Sequence, residues 1–131
     1  MAGELILVVE DNENNRLLLR DVLQAQGYRT AETDTAEEGI RLAASARPAL
    51  ILMDIQLPRM NGIEALHHLR ADPLTRDIPV IAITASAMTH DRQRIMAAGF
   101  DNYQTKPINV REFLDGVRAT LDGRAPSADA R

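Results

Sequence analysis

The sequence predicts an α/β fold in which a five-stranded parallel sheet is covered by helices on both faces. Three short apolar runs, residues 5–9, 50–53 and 80–83, show no alternation with polar residues. Continuous apolar runs of this length are typical of strands that are buried on both faces. Segments with helical spacing lie between the runs, and this alternation favours a parallel sheet between two layers of helices.

The first helix is predicted between the first two strands. Leu18, Val22 and Ala25 share one face of it, and Gly27 follows as a C-terminal stop. Residues 29–33 are a weaker candidate for the second strand.

The second and third helices have N-terminal capping signals. Thr35 and Glu38 have the spacing of a capping box, and so do Asn61 and Glu64. The apolar residues behind each cap fall on one stripe: Ala36, Ile40 and Ala43, then Ile63, Leu66 and Leu69.

The last two helices differ in how clear their apolar pattern is. Residues 89–98 are polar and have a thin apolar stripe, whereas the final helix repeats apolar residues at three- and four-residue steps. Residues 102–105, between them, are a weaker candidate for the fifth strand. The final stripe comprises Val110, Phe113, Leu114, Val117 and Leu121.

These elements predict one (βα)5 domain, a three-layer sandwich with right-handed crossovers. We expect the strand order 2-1-3-4-5, which is taken from flavodoxin-like folds rather than worked out from this sequence. We place the domain at residues 1–122 and expect residues 123–131, which lack an apolar pattern, to be a disordered tail.

Composition restricts the classes of function. The net charge of -4 argues against nonspecific nucleic-acid binding, which needs a basic surface. Without cysteine there is no disulfide or thiolate metal site. The apolar run at residues 5–9 is too short for a signal peptide or membrane span, so we expect a cytoplasmic protein that does not enter the membrane.

Polar residues follow four of the predicted strands. Glu10 and Asp11 follow the first, Asp54 the third, Thr84 the fourth and Lys106 the fifth. The carboxyl ends of parallel strands lie along one edge of the sheet, where such folds bind ligands. Each residue alone also fits an ordinary role, such as a turn, a helix cap or a solvated cation. Their arrival at one edge favours a functional site.

The chemistry of this set suggests phosphoryl transfer. Three neighbouring carboxylates repel one another, and oxygen ligands in a small site suit Mg²⁺. Lys106 and Thr84 add a cation and a hydroxyl donor, which can stabilise phosphoryl oxygens. Asp54 would then be the nucleophile that forms an acyl phosphate.

The motifs at these positions resemble those of response-regulator receiver domains over residues 5–121. The motif sequences are most similar to those of receivers of hybrid histidine kinases and of single-domain regulators of the DivK type. The motifs are Val9-Glu10-Asp11-Asn12, Leu52-Met53-Asp54-Ile55-Gln56-Leu57-Pro58, Met60-Asn61-Gly62, Ile83-Thr84-Ala85 and Lys106-Pro107-Ile108.

The resemblance implies a set of metal ligands. Glu10 and Asp11 would be the acidic pair, with Asp11 the more direct ligand. Asp54 would be both phosphoacceptor and ligand. The backbone carbonyl of Gln56 would complete the protein's share of the Mg²⁺ coordination.

The resemblance also implies a switch. Thr84 and Lys106 would bind the phosphoryl oxygens, and the Lys106–Pro107 peptide would be cis. Tyr103 matches an aromatic position whose ring moves inward as Thr84 is drawn to the phosphoryl group, although ordinary half-buried packing also explains a tyrosine there. We expect the helix from Thr89 to be repositioned.

The function expected is that of a single-domain response regulator. It would take its phosphoryl group from a histidine kinase or a histidine phosphotransfer protein and catalyse only its own phosphorylation and dephosphorylation. Its output would be binding to a downstream protein through residues 89–121, as a monomer or a weak phosphorylation-dependent dimer.

Three other functions compete with this one. A phospho-independent interaction module could use the same fold, but the intact site argues against it. A hydrolase with an aspartyl phosphate usually needs a second carboxylate where this chain has Gln56. A flavodoxin-like cofactor carrier would need a phosphate-binding loop after Val9, and the sequence has none.

Overall fold

The computed structural model describes residues 3–86 and 88–123. Within these ranges five strands alternate with five helices, and none of the helices is long and apolar enough to cross a bilayer. The strands are β1 Leu5–Val9, β2 Arg29–Thr33, β3 Leu50–Asp54, β4 Val80–Thr84 and β5 Asn102–Thr105. The helices are α1 Glu13–Ala25, α2 Ala36–Ala46, α3 Gly62–Ala71, α4 Thr89–Ala98 and α5 Val110–Leu121. The predicted tail, apart from Gly123, lies outside the described residues.

The described strands form one parallel sheet in the order β2-β1-β3-β4-β5. This confirms the flavodoxin-like (βα)5 fold that the sequence predicted. The order places β1 and β3 side by side at the centre, and the winding direction of the chain reverses between them. In such folds the crevice at this reversal is the usual place for a ligand site.

The core lies in two layers because alternate residues of a strand face opposite sides of the sheet. One layer packs between the sheet and α1 and α5, the other between the sheet and α2, α3 and α4. Strand residues of the first layer are Ile6, Val8, Leu50, Leu52, Ile81 and Ile83. Strand residues of the second are Leu7, Val9, Ile51, Met53, Val80 and Ala82. The three-layer sandwich is thereby confirmed.

Four helices begin with a side chain that accepts a backbone N–H, and the residues are Asn12, Thr35, Asn61 and Asn109. At α3 the capping box is complete, because the Glu64 carboxylate also accepts the N–H of Asn61. At α2 the Glu38 carboxylate pairs with Arg41 instead. The first residue before α4, Met88, provides no side-chain cap, so α4 begins with less local support.

Candidate functional site

The register of the sheet brings the predicted residues together at one edge. The final pairs along the strands are Val9 with Met53, Asp54 with Ile83, and Thr84 with Thr105. Glu10 therefore emerges beside Asp54, and Lys106 emerges beside Thr84. The Lys106–Pro107 peptide is cis, as the resemblance implied.

Lys106 lies between two buried carboxylates. Its Nζ is 3.1 Å from Asp54 Oδ2 and 3.2 Å from Glu10 Oε1. The side chains of Glu10 and Asp54 are only 1% and 3% exposed, whereas that of Lys106 is 21% exposed. Buried carboxylates are costly unless a cation and hydrogen bonds compensate them. Lys106 supplies that cation in the resting protein.

One lysine compensates this pair only partly. The pKa of the Glu10 carboxyl is raised to about 7, first by burial and then by the hydrogen bond and charge of Asp54. The Asn12 N–H, which donates to Glu10, and the charge of Lys106 oppose this rise. Glu10 Oε1 is buried and forms an ion pair with Lys106 at 3.2 Å, but it accepts no hydrogen bond from any residue that the structure describes. The pocket therefore has capacity for a further positive charge.

The acidic residues offer a cation site of the predicted kind. Among the described residues, Glu10, Asp11 and Asp54 each present a carboxylate oxygen, and these oxygens all lie within 4.8 Å of one another. Ligand oxygens around one Mg²⁺ are about 3–4 Å apart, so small side-chain movements suffice. Asp11 is exposed, which leaves one side of the cluster open to solvent. The donor set, which includes a buried Glu10 oxygen that accepts no hydrogen bond from the described residues, fits Mg²⁺.

Gln56 contacts the site through its main chain. Its backbone N–H donates to Asp54 Oδ1 at 3.0 Å, and its side chain is exposed. The predicted contribution of the Gln56 carbonyl remains a prediction, but the residue lies directly beside the acidic cluster. Asp54 thus has one oxygen held by the Gln56 amide and the other by Lys106.

Thr84 is linked to α4 through Ser86. The Thr84 hydroxyl accepts the backbone N–H of Ser86 at 3.1 Å, and the Thr84 carbonyl accepts the N–H of Lys106 at 2.8 Å. The Ser86 hydroxyl in turn donates to Asp91 Oδ2 at 2.5 Å and accepts the N–H of Met88 at 3.2 Å. The start of α4 is therefore hydrogen-bonded to the segment that follows Thr84.

Tyr103 is half-buried, and its hydroxyl contacts α4. Arg92 Nη1 donates to the Tyr103 hydroxyl at 2.7 Å, and the guanidinium carbon lies 5.6 Å from the centre of the ring. Sequence reasoning found Tyr103 but missed Arg92, as it missed Asp91. A polar residue on a polar helix carries no sequence signal that it contacts the neighbouring strand.

The first turn of α3 packs closely against the end of β3, next to the site. A Cβ atom at Gly62 would lie 2.4 Å from the Asp54 carbonyl oxygen and 2.9 Å from the Ile55 Cα. Only glycine allows the first turn of α3 to approach the end of β3 this closely. Gly62, the last residue of the motif Met60-Asn61-Gly62, is therefore required for packing beside the site.

Comparison with known families agrees with this geometry. The family described as "Response regulator receiver domain" matches residues 6–118. The chain belongs to this family. It is thus a receiver domain of the two-component signalling systems, and the recognition made from the motifs is confirmed.

Relatives and solved structures support the assignment. The chain is 46% identical over 116 residues to the polar-differentiation response regulator DivK of Brucella anthropi, covering 88% of this chain and 94% of that protein. The receiver domain of a sensor histidine kinase from Pseudomonas aeruginosa superposes with a TM-score of 0.83. The two are 34% identical, and the match covers 93% of this chain and 99% of that one. That structure is described with a magnesium ion coordinated in the active-site cleft.

A third comparison is with a putative response regulator from Chloroflexus aurantiacus. It has a TM-score of 0.87 and 25% identity, and covers 92% of this chain and 98% of that one. The fold is therefore that of receiver domains over nearly the full described length. Among the alternatives, the phospho-independent module is not favoured.

Proposed function

We propose that this receiver is a single-domain response regulator whose phosphoacceptor is Asp54. The observation that supports this best is the position of Lys106 Nζ, which contacts both Asp54 and Glu10 at the carboxyl edge of the sheet. A buried carboxylate held by an ammonium group and flanked by further acidic oxygens has the parts that phosphoryl transfer needs.

The metal in this proposal is Mg²⁺, held by Glu10, Asp11, Asp54 and the backbone carbonyl of Gln56. The three carboxylates are already clustered, and Asp11 faces solvent, where a cation can enter. When bound, Mg²⁺ would neutralise negative charge on the carboxylates and on the phosphoryl oxygens.

The reaction is a displacement at phosphorus. A carboxylate oxygen of Asp54 bonds to phosphorus, the bond to the donor's leaving group breaks, and an acyl phosphate remains on Asp54. For a phosphohistidine donor the leaving group is an imidazole nitrogen. Lys106 and the Thr84 hydroxyl contact the phosphoryl oxygens. Water then attacks phosphorus, inorganic phosphate leaves, and the Asp54 carboxylate is restored. In this proposal the chain catalyses only its own phosphorylation and dephosphorylation.

The partners in this proposal are a histidine kinase or a histidine phosphotransfer protein as donor, and a protein that binds residues 89–121 as target. Curated relatives such as DivK have nearly the same length as the matched region, which supports output through protein binding. We place the functional unit at residues 1–122, because all ten elements and the family match end by residue 121.

The test is to incubate the protein with Mg²⁺ and acetyl phosphate and to measure the intact mass. We expect a single phosphoryl adduct that requires Mg²⁺ and is absent from Asp54→Asn. Asp34→Asn is a matched control, because Asp34 is an exposed aspartate outside the acidic cluster. An adduct that survives Asp54→Asn would contradict the assignment of Asp54. Partner binding without any adduct would support a phospho-independent module.

A further inference from the structure

Two consecutive residues of α4 connect this helix to the site. Asp91 accepts the hydroxyl of Ser86, the second residue after Thr84, and Arg92 donates to the hydroxyl of Tyr103 on β5. The apolar anchoring of α4 is weak by comparison, because Ile95 is the one buried residue in the helix, all of which the structure describes. Polar contacts in its first turn therefore contribute much of what holds α4 in place.

The Arg92–Tyr103 contact combines two attractions. The hydrogen bond of 2.7 Å has a charged donor, which makes it stronger than one between neutral groups. The guanidinium carbon, 5.6 Å from the ring centre, also lies within cation–π range. Both attractions are lost if the ring turns away from α4, since they depend on one ring position.

We infer that Arg92 is a positioning residue that holds Tyr103 against α4 in the unphosphorylated protein and thereby opposes activation at Asp54. This inference rests on the proposed function and identifies a regulator of the same site. The state with Tyr103 held by Arg92 competes with any state that needs the ring elsewhere. A phosphoryl group that favours the second state must overcome the contact, so the contact lowers its apparent affinity.

The Ser86–Asp91 bond couples the same helix to Thr84. In the resting protein the Thr84 hydroxyl oxygen accepts a hydrogen bond from the Ser86 N–H. If that hydroxyl turns to a phosphoryl oxygen, the Ser86 N–H loses its acceptor, and the Ser86 hydroxyl shifts relative to Asp91. Because Asp91 and Arg92 are adjacent on the first turn of α4, a displacement of one contact strains the other.

The test uses beryllofluoride with Mg²⁺ as a mimic of the phosphoryl group. Binding in every variant is followed by the backbone amide signals of the ¹⁵N-labelled protein in NMR, and ring-labelled tyrosine, of which the chain has only two, reports the position of the Tyr103 ring where it is present. Tyr28, whose hydroxyl accepts from Arg118, provides the reference signal. Tyr103→Phe assigns the other signal and removes the hydroxyl that Arg92 contacts.

We expect Arg92→Ala to bind beryllofluoride about fivefold more tightly than the wild type. Tyr103→Phe should tighten binding by a similar or smaller factor, and the double variant should gain no more than Arg92→Ala alone, because both changes break one contact. Arg92→Lys keeps the charge and should restore part of the wild-type value. Arg111→Ala is the control; Arg111 is an exposed arginine of α5 that does not contact Asp91 or Tyr103 in the described part of the chain, and its loss should leave the affinity unchanged.

Equal or weaker binding by Arg92→Ala, with the wild type binding normally, would overturn this inference and leave the proposed function intact. Additive effects of Arg92→Ala and Tyr103→Phe would also overturn it, since independent residues add. If the wild type binds no beryllofluoride in the presence of Mg²⁺, the proposed function fails, and the inference fails with it.

Discussion

Lys106 has two tasks at different stages of the proposed reaction. In the resting protein its ammonium group compensates the negative charges of Glu10 and Asp54, whose side chains are almost fully buried. The pKa of Lys106 is raised because the hydrogen bond and charge of Asp54, with those of Glu10, outweigh the opposing effect of burial. Lys106 therefore stays charged, and the same charge is available to a phosphoryl group on Asp54.

Replacing this lysine should affect both stability and phosphorylation. Lys106→Met removes the cation and leaves two buried carboxylates beside each other. We expect the free energy of unfolding without Mg²⁺ to fall by about 2–3 kcal/mol, and the rate of adduct formation with acetyl phosphate to fall about 100-fold. Urea denaturation in the presence of a chelator measures the first quantity, and intact mass over time the second.

Arg94→Met is the control, since this exposed arginine on α4 should change stability by less than about 0.5 kcal/mol. Equal stabilities of Lys106→Met and the wild type would mean that the carboxylates need no such compensation.

The residues at the strand ends could be predicted because Asp54 and Thr84 directly follow continuous apolar runs, and Lys106 follows the weaker candidate for the fifth strand. Asp54, Thr84 and Lys106 all emerge at one edge as soon as the parallel order is known. Arg92 could not be predicted in this way, since its contact with Tyr103 depends on the angle of α4 against β5 and on side-chain direction. No pattern in the polar sequence of α4 encodes either quantity.

The junction of α3 with β3 depends on one glycine. Gly62→Ala would place a methyl group against the backbone of Asp54 and Ile55, which cannot move away as a flexible side chain could. We expect a loss of about 1–3 kcal/mol in unfolding free energy, in the range of overpacked sites, and weaker Mg²⁺ binding because Asp54 shifts. Chemical denaturation and Mg²⁺ titration measure the two effects.

Gly116→Ala is the matched substitution in α5. A Cβ there would lie 3.5 Å from Asn102 Nδ2, an ordinary contact, so the helix should gain about 0.5–1 kcal/mol from the better helix former. A similar loss in both variants would show that any methyl group is harmful and would remove the special role of Gly62.

The helices should differ in local stability. α4 contains one buried residue, Ile95, and lacks a side-chain N-cap, whereas α5 buries Phe113, Val117 and Thr120 and is capped by Asn109. We expect amides of α4 to exchange with solvent deuterium at least about tenfold faster than those of α5, because few buried contacts permit local opening. Exchange measured on the unphosphorylated protein tests this, and equal protection of the two helices would contradict it.

The elements were predictable to different degrees for physical reasons. The three central strands are continuous apolar runs, and their predicted positions are confirmed. The capping box predicted at α2 formed only in part, because Arg41, one turn away, competes for the Glu38 carboxylate. Such competition between exposed side chains depends on rotamers that spacing alone does not specify.

The acidic cluster exists only in the folded chain, because Glu10 and Asp11 follow β1 whereas Asp54 ends β3. A cation that binds the cluster must therefore stabilise the fold as a unit. At a Mg²⁺ concentration ten times the dissociation constant, the gain is about 1.4 kcal/mol. For a domain of this size that corresponds to a rise of about 3–6 °C in the unfolding midpoint. Thermal unfolding with increasing Mg²⁺ should show this rise, and a chelator should reverse it.

Two substitutions separate specific binding from general charge screening. Asp11→Asn removes the exposed member of the cluster and should abolish most of the rise, whereas Asp21→Asn removes an exposed carboxylate on α1 that lies outside the cluster and should preserve it. Both change the net charge by the same amount, so screening would affect them equally. An identical response of the two variants would mean that Mg²⁺ acts on the surface at large, and the assignment of the metal ligands would then be wrong. Loss of the rise in Asp11→Asn alone would connect metal binding to the strand order, because that order brings β1 beside β3.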